Sequence, residues 1–313
     1  MANEHGFYAH APRLLLAIVV AGALSSCGGD AAPKATDGKA AFDAEKLTRQ
    51  ASGPNAAARS GKIDGSVQIT LKGVPEFSEP FSSSVTGPFV YRKGAALPDY
   101  ELEMAVRDYG VELSSVRGRS YVSLGETGYA MPPAVRRRLV RSSARGRNGL
   151  TRTLEQFGIA PWRWETDKRV AGTEQIDGRQ VVRISTSFNA GRILTDANTL
   201  MGVLSSLGIM RAVGLPAQIT RRARKLIVKS VTSKVGASWI AVSDKVIRQS
   251  GFTMRFKVAK ADQAALGGIT GGTVVGKLMV TEVGKPQSIK PPETVAPYAD
   301  FALALDALAD AQR

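Results

Sequence analysis

The sequence predicts an α+β domain in which an antiparallel sheet is interrupted by helical insertions. Three observations lead there. Tyr100-Glu101-Leu102-Glu103-Met104-Ala105-Val106-Arg107 alternates apolar and polar residues strictly, the period of a strand with one covered face. The same period returns after turn-forming glycines at Gly118 and Gly125, so consecutive strands are joined by short turns, as in a meander. Between such stretches lie segments with helical spacing and many arginines and lysines, suited to lie over the covered face.

Taken in order, Ala41, Ala44 and Leu47 predict a short helix over about 40–50. Val67, Ile69 and Leu71 alternate with Gln68, Thr70 and Lys72 and predict a strand. Phe81, Ser83 and Val85 continue the sheet, with Phe89 and Tyr91 following the Gly87-Pro88 break. The strand at Tyr100 comes next, then Val111–Leu113 and Tyr121–Leu124. Met131-Pro132-Pro133 ends this part of the sheet. Basic helices follow over about 134–145 and 150–157, and Ile159-Ala160-Pro161-Trp162 closes the insertion. A second sheet segment is expected from Val170, with a hairpin turn at Asp177-Gly178 and a strand over 180–185. Residues 191–235 read as helical, with breaks at Gly208 and Gly214-Leu215-Pro216. Strands resume over 239–242, 246–248, 252–258 and 273–283, and Phe301–Ala309 predicts a short amphipathic helix.

The N-terminus carries a different signal. Arg13 precedes the apolar run Leu14–Leu24, which has the length of a signal-peptide core and is shorter than the ~20 residues a spanning helix needs. Leu24-Ser25-Ser26-Cys27 then has the form of a bacterial lipobox, in which Cys27 receives the lipid and becomes the first residue of the mature chain. The domain division expected is a signal peptide at 1–26, a lipidated tether at 27–39, a folded domain at 40–292 and a C-terminal tail at 293–313. An ordinary signal peptide with an incidental cysteine is the alternative.

Composition narrows the chemistry. The chain has 313 residues, 42 lysines and arginines against 27 acidic residues, and one cysteine. Both histidines, His5 and His10, fall in the leader, so processing leaves no imidazole and a capped thiol. Ser-His-Asp, Cys-His and zinc-hydrolase chemistry are then excluded, and so are disulfides. Glu101 and Glu103 lie on a wet strand face, and Ser243-Asp244-Lys245 lacks the flanking motifs of serine acyl-enzymes. No cofactor and no metal are called for, and the protein is expected not to be an enzyme. The net charge of +15 points, for an exported chain, to anionic headgroups or cell-wall polymers rather than nucleic acid.

The order of sheet, helical insertion, hairpin, long helices and sheet resembles lipid-carrier lipoproteins of the LppX/LprG type, which share the LolA architecture. Local stretches similar to a related actinobacterial group are Gly53-Pro54-Asn55, Ser60-Gly61-Lys62-Ile63-Asp64, Gly87-Pro88-Phe89 and Leu97-Pro98-Asp99-Tyr100. Gly128-Tyr129, Met131-Pro132, Trp162 and Gly172-Thr173-Glu174-Gln175-Ile176-Asp177-Gly178 complete the set. The hairpin runs on into Val181-Val182-Arg183-Ile184-Ser185, where relatives often carry a histidine, so no histidine-dependent role carries over.

The resemblance implies a strongly curved antiparallel sheet, a half-barrel, closed on one side by helices over an apolar cavity. The candidate lining residues are Tyr100, Leu102, Met104, Val106, Val182, Ile184, Phe252, Met254 and Phe256; periodicity alone leaves open whether they form a cavity or a packed core. Arg136, Arg137, Arg221 and Arg222 are the candidate headgroup contacts, within the clusters Arg136-Arg137-Arg138 with Arg141 and Arg221-Arg222 with Arg224-Lys225. The expected partners are the membrane, through the N-terminal lipid anchor, a lipid or glycolipid ligand, and an envelope transporter. The expected place is the outer face of the cytoplasmic membrane. A non-carrier envelope scaffold with a solid core is the competing reading.

Overall fold

The computed structural model describes residues 42–311, apart from 55, 57, 76–78 and 107–108. The segments expected to be a signal peptide, a lipobox with Cys27 and a tether lie outside the described residues. Six strands form first: β1 (Ser60–Lys72), β2 (Phe81–Val90), β3 (Asp99–Val106), β4 (Tyr109–Val116), β5 (Arg119–Leu124) and β6 (Thr127–Ala130). The helices α2 (Pro133–Ser143) and α3 (Gly149–Glu155) follow, and α1 (Ala44–Ala51) precedes them all. Then come β7 (Glu165–Ile176), β8 (Arg179–Phe188), α4 (Ala190–Ser206), α5 (Ile209–Ala212), α6 (Arg221–Ser230), β9 (Val231–Ala241) and β10 (Ile247–Lys257). The chain ends with α7 (Lys260–Gln263), β11 (Gly271–Thr281), β12 (Thr294–Ala296) and α8 (Tyr298–Ala311).

All strands belong to one open, curved, twelve-stranded sheet in the order β12-β6-β5-β4-β3-β2-β1-β11-β10-β9-β8-β7. Every pairing is antiparallel except that of β12 with β6. The expected second sheet segment is a continuation of the first, because β1 pairs along its whole length with β11 and welds the two halves together. Register then lines up the apolar residues. Ile69 stands opposite Val274, which stands opposite Met254, and Ile63 stands opposite Val280. The inner face so formed is covered by α2 to α6 and α8, whose Leu139, Leu154, Leu194, Met201, Ile227 and Phe301 join the strand residues in one cluster. Burial of this layer is the main source of stability.

Two glycines let strands approach where a side chain would not fit. A Cβ on Gly236 in β9 would collide with the Gly251 carbonyl and the Phe188 ring. Gly87, at φ 145°, sits at the break in β2, where a Cβ would strike the Glu101 carbonyl of β3. Helix starts are capped by side chains: Asp43, Asn148, Asn189 and Thr220 each accept a bond from a backbone N–H of the helix they open.

The structure corrects the reading of 191–235 at its C-terminal end. Helix α6 stops at Ser230, and Val231–Val235 are the first half of β9. The segments expected at 239–242 and 246–248 are the ends of two eleven-residue strands. Strand β12 was not expected at all. Among the described residues, no helix is long and apolar enough to cross a membrane.

Candidate functional site

The nine candidate lining residues all lie on the inner face of the sheet, and none is more than 6% exposed. Tyr100, Leu102, Met104 and Val106 of β3 and Phe252, Met254 and Phe256 of β10 belong to the main cluster beneath the helices. Val182 and Ile184 of β8 do not. They pack with Ile240 and Ile247 under α1, against Ala44, Leu47 and Ala51. What parts the two clusters is a buried polar seam. Ser238, the register partner of Ile184, donates to Glu165 Oε1 at 2.5 Å, and its hydroxyl lies 3.0 Å from that of Ser250.

Burial pushes the Glu165 carboxyl up to about 7, against the opposing pull of the Ser238 hydrogen bond and the Lys168 charge. Lys168 in turn pairs with Glu45 of α1 at 3.1 Å, so the helix that covers Val182 is tied to the neighbourhood of this carboxyl. Sequence reasoning missed Glu165, Ser238 and Ser250. The available signal was a serine at an inward position within an otherwise apolar stripe, as in Gly236-Ala237-Ser238-Trp239-Ile240.

A second polar group lies within the main layer. Tyr100, Ser115 and Ser120 are register partners across β3, β4 and β5, all buried, and their hydroxyls have no hydrogen-bond partner among the described residues. Burial raises the Tyr100 hydroxyl pKa, keeping it a neutral donor. The Phe157 ring meets Tyr100 edge-on at 5.8 Å. Leaving such hydroxyls unpaired costs about 1–3 kcal/mol each. Nearby, Trp164 is fully buried; its indole N–H and the Ala160 N–H both donate to Asp196 Oδ2, at 2.8 and 2.9 Å. Trp164 therefore fixes α4 to the chain entering β7, while the neighbouring Trp162 is partly buried.

The four candidate headgroup arginines do not form one mouth. Arg136 Nε donates to the Gly118 carbonyl at 2.7 Å, which ties the start of α2 to the β4–β5 turn. Arg137 is exposed beside it, and Arg138 reaches the Thr199 and Gly202 carbonyls of α4. Arg221 and Arg222 instead open α6, near Gly191 at the other end of α4. At 1.5 Å per residue, Gly191 and Thr199–Gly202 are roughly 12–16 Å apart along that helix.

Three clefts are prominent. One of about 400 Å³ is lined by Gly191, Arg221, Arg224, Lys225, Val228 and Lys229. A second, of about 570 Å³, lies on the adjoining side of α6 between Arg221, Arg222, Lys225 and Leu226. The third, of about 270 Å³, is lined by β9 and β10 with Arg183, whose guanidinium stacks over the Trp239 ring at 5.4 Å. The first two bring cations and apolar side chains together, whereas the nine candidate residues on the inner face are at most 6% exposed.

No family model matches the chain, and no curated protein is similar to it. Among solved structures it is similar to LprF from Mycobacterium bovis, at 13% identity over 80% of this chain and 96% of that one, with a TM-score of 0.38. It is similar to the lipoprotein LppX from Mycobacterium tuberculosis at 14% identity, covering 79% and 100% of the two chains, with a TM-score of 0.37. A LolA-superfamily protein from Nitrosomonas europaea is similar at 10% identity over 79% and 96%, with a TM-score of 0.23. Values this low carry no argument about function, which rests on this chain's own residues.

Proposed function

We propose that the chain is a membrane-anchored envelope lipoprotein that binds or carries a lipid between its sheet and its helices, without catalysing a reaction. The anchor is the acylated Cys27, and the place is the outer face of the cytoplasmic membrane. The observation that carries the reading is the inner face of the sheet, apolar across nearly every strand and roofed by helices, with the unpaired hydroxyls of Tyr100, Ser115 and Ser120 set into it. A hydrophobic slab that needs only to fill its middle with apolar matter can exchange side-chain contacts for acyl chains if the roof lifts. The hydroxyls would then bond to the polar linkage of the lipid. Flexible Met104, Met201 and Met254 suit a layer that repacks around a guest.

A second reading is favoured by one specific observation, the closure of the layer: with all nine candidate residues at most 6% exposed, a solid-core envelope protein that binds its partner on the outside accounts for the packing equally well. Organic-solvent extraction of the purified full chain, together with thermal unfolding in the presence of added phospholipid, separates the two. A carrier is expected to yield a co-extracted lipid and to gain about 2–3 kcal/mol of stability at a hundredfold excess of ligand over Kd. Absence of both would establish the solid core.

A further inference from the structure

We infer that the cleft between the first turn of α4 and helix α6 is a binding site for a phosphate ester carried on an acyl chain. The argument begins with a conflict in the sequence of α6. Arg221, Arg222 and Arg224 occupy the start of the helix, where the backbone dipole and the unpaired N–H groups already make the end positive. Arg221 also faces Arg224 and Lys225 at spacings of three and four residues, which sets like charges side by side. Both effects disfavour the folded helix, and a capping anion relieves both.

The fold supplies no such anion from within. Among the described residues, Lys229 pairs with Asp262 at 3.0 Å, whereas Arg221, Arg222, Arg224 and Lys225 have no carboxylate partner. Arg224 Nε is buried without a hydrogen-bond partner, although it lines the cleft. The opposite wall adds to the field, because Gly191 lies in the first turn of α4, so a second helix start borders the same space. The first turn of α4 and three cations without a carboxylate partner, Arg221, Arg224 and Lys225, line about 400 Å³.

The rest of the lining indicates what the anion is attached to. Val228, 42% exposed, forms part of the wall, and the partly buried Leu226 lies on the adjoining cleft. A site for a free inorganic anion has no use for an exposed valine. A phosphate joined to a hydrocarbon chain uses both parts, with guanidinium forks on the phosphate and the chain along Val228, Leu226 and the arginine stems. Such a site would also hold α6 against an anionic leaflet, to which each cation adds attraction that salt screens. The inference deepens the lipid-binding reading and rests on it for the acyl chain, not for the phosphate.

The test uses the full chain in a nonionic detergent, titrated calorimetrically with dihexanoyl phosphatidic acid, with glycerol 3-phosphate and with dihexanoyl phosphatidylcholine. Phosphatidic acid is expected to bind at least tenfold more tightly than the other two and to weaken as salt rises. The double substitution Arg221→Gln and Arg224→Gln should reduce its affinity at least tenfold, and the single change Lys225→Gln, at an exposed position, about threefold. Binding that survives all three substitutions, or no binding by the unmodified chain, would overturn the site. Equal affinity for glycerol 3-phosphate would overturn the acyl-chain part and assign the cleft to a soluble phosphate ester. Solvent extraction of the same preparations keeps the two proposals apart. Loss of probe binding with the core lipid retained defeats only the cleft, and intact probe binding without a core lipid defeats only the carrier.

Discussion

Glu165 shows how one side chain can set the pH response of this fold. Its carboxyl is enclosed between two apolar clusters, with one oxygen bonded to Ser238 and the other without a partner among the described residues. Desolvation raises it from the ordinary 4.5 to about 7, so the native state holds a proton that the unfolded chain has already released. Stability from this source is complete below the unfolded value and is lost as pH rises toward 7. At 1.36 kcal/mol per pH unit, the loss amounts to about 3 kcal/mol. Glu165→Gln keeps the size and stays neutral. Urea unfolding at pH 5 and pH 8 should therefore show a smaller decline for the variant than for the unmodified protein, by about 2–3 kcal/mol. Glu112, Glu155 and Asp196 are also raised by burial and decline in the same direction, which is why the comparison must be between variant and parent. Equal declines would mean that Glu165 is ionised in the native state.

At the scale of elements, Asn148 couples two helices that are distant in sequence. Its Oδ1 accepts the Thr151 N–H at 2.9 Å and so caps α3, while its Nδ2 donates to the Ala51 and Gly53 carbonyls at 3.2 and 2.9 Å, at the end of α1. Asn148→Ala removes a cap worth about 1 kcal/mol and strips two carbonyls of a buried donor, a total of about 2–3 kcal/mol. Chemical denaturation measures the sum. Hydrogen exchange locates it, with the amides of α1 expected to lose protection before those of β1 and β11. Elements such as β3 were legible because strict alternation can only be a strand with one face covered. The end of α6 was not, since Ile227, Val231 and Val235 are spaced by four and continue the helical stripe across a boundary with no glycine or proline. Only the tertiary pairing of β9 with β8 and β10 decides it. The site shows the same division. The inward residues of β3 and β10 could be read from their period, whereas the partition of Val182 and Ile184 beneath α1 depends on packing between distant segments. The separation of Arg136 from Arg221 likewise depends on which end of α4 each helix meets.

Across the whole molecule, the main cluster beneath α2 to α6 and α8 is one continuous layer to which residues from Ala56 to Leu305 contribute, so its ends are not independent of its middle. The C-terminal segment beyond Pro292 illustrates this. β12 pairs with β6 and covers the edge that the sheet would otherwise present to solvent. Helix α8 then places Phe301, fully buried, at 5.3 Å from the Tyr129 ring and 5.5 Å from Tyr298, with Leu305 buried behind it. Arg211 of α5 reaches Asp306 at 2.8 Å, an exposed pair that adds little, so the apolar contacts hold the helix in place. Phe301→Ala should cost about 3–5 kcal/mol. Because the cavity opens into the shared core, the loss should lower a single unfolding transition rather than release the tail alone. Differential scanning calorimetry distinguishes these outcomes: one transition at a reduced temperature fits a shared core, while an unchanged main transition with an early minor one would make the tail an appendage. Ending the chain at Pro292 goes further, since it bares the β6 edge as well as Tyr129. That form is expected to self-associate at concentrations where Phe301→Ala remains monomeric, because only the truncation bares the β6 edge to a second copy.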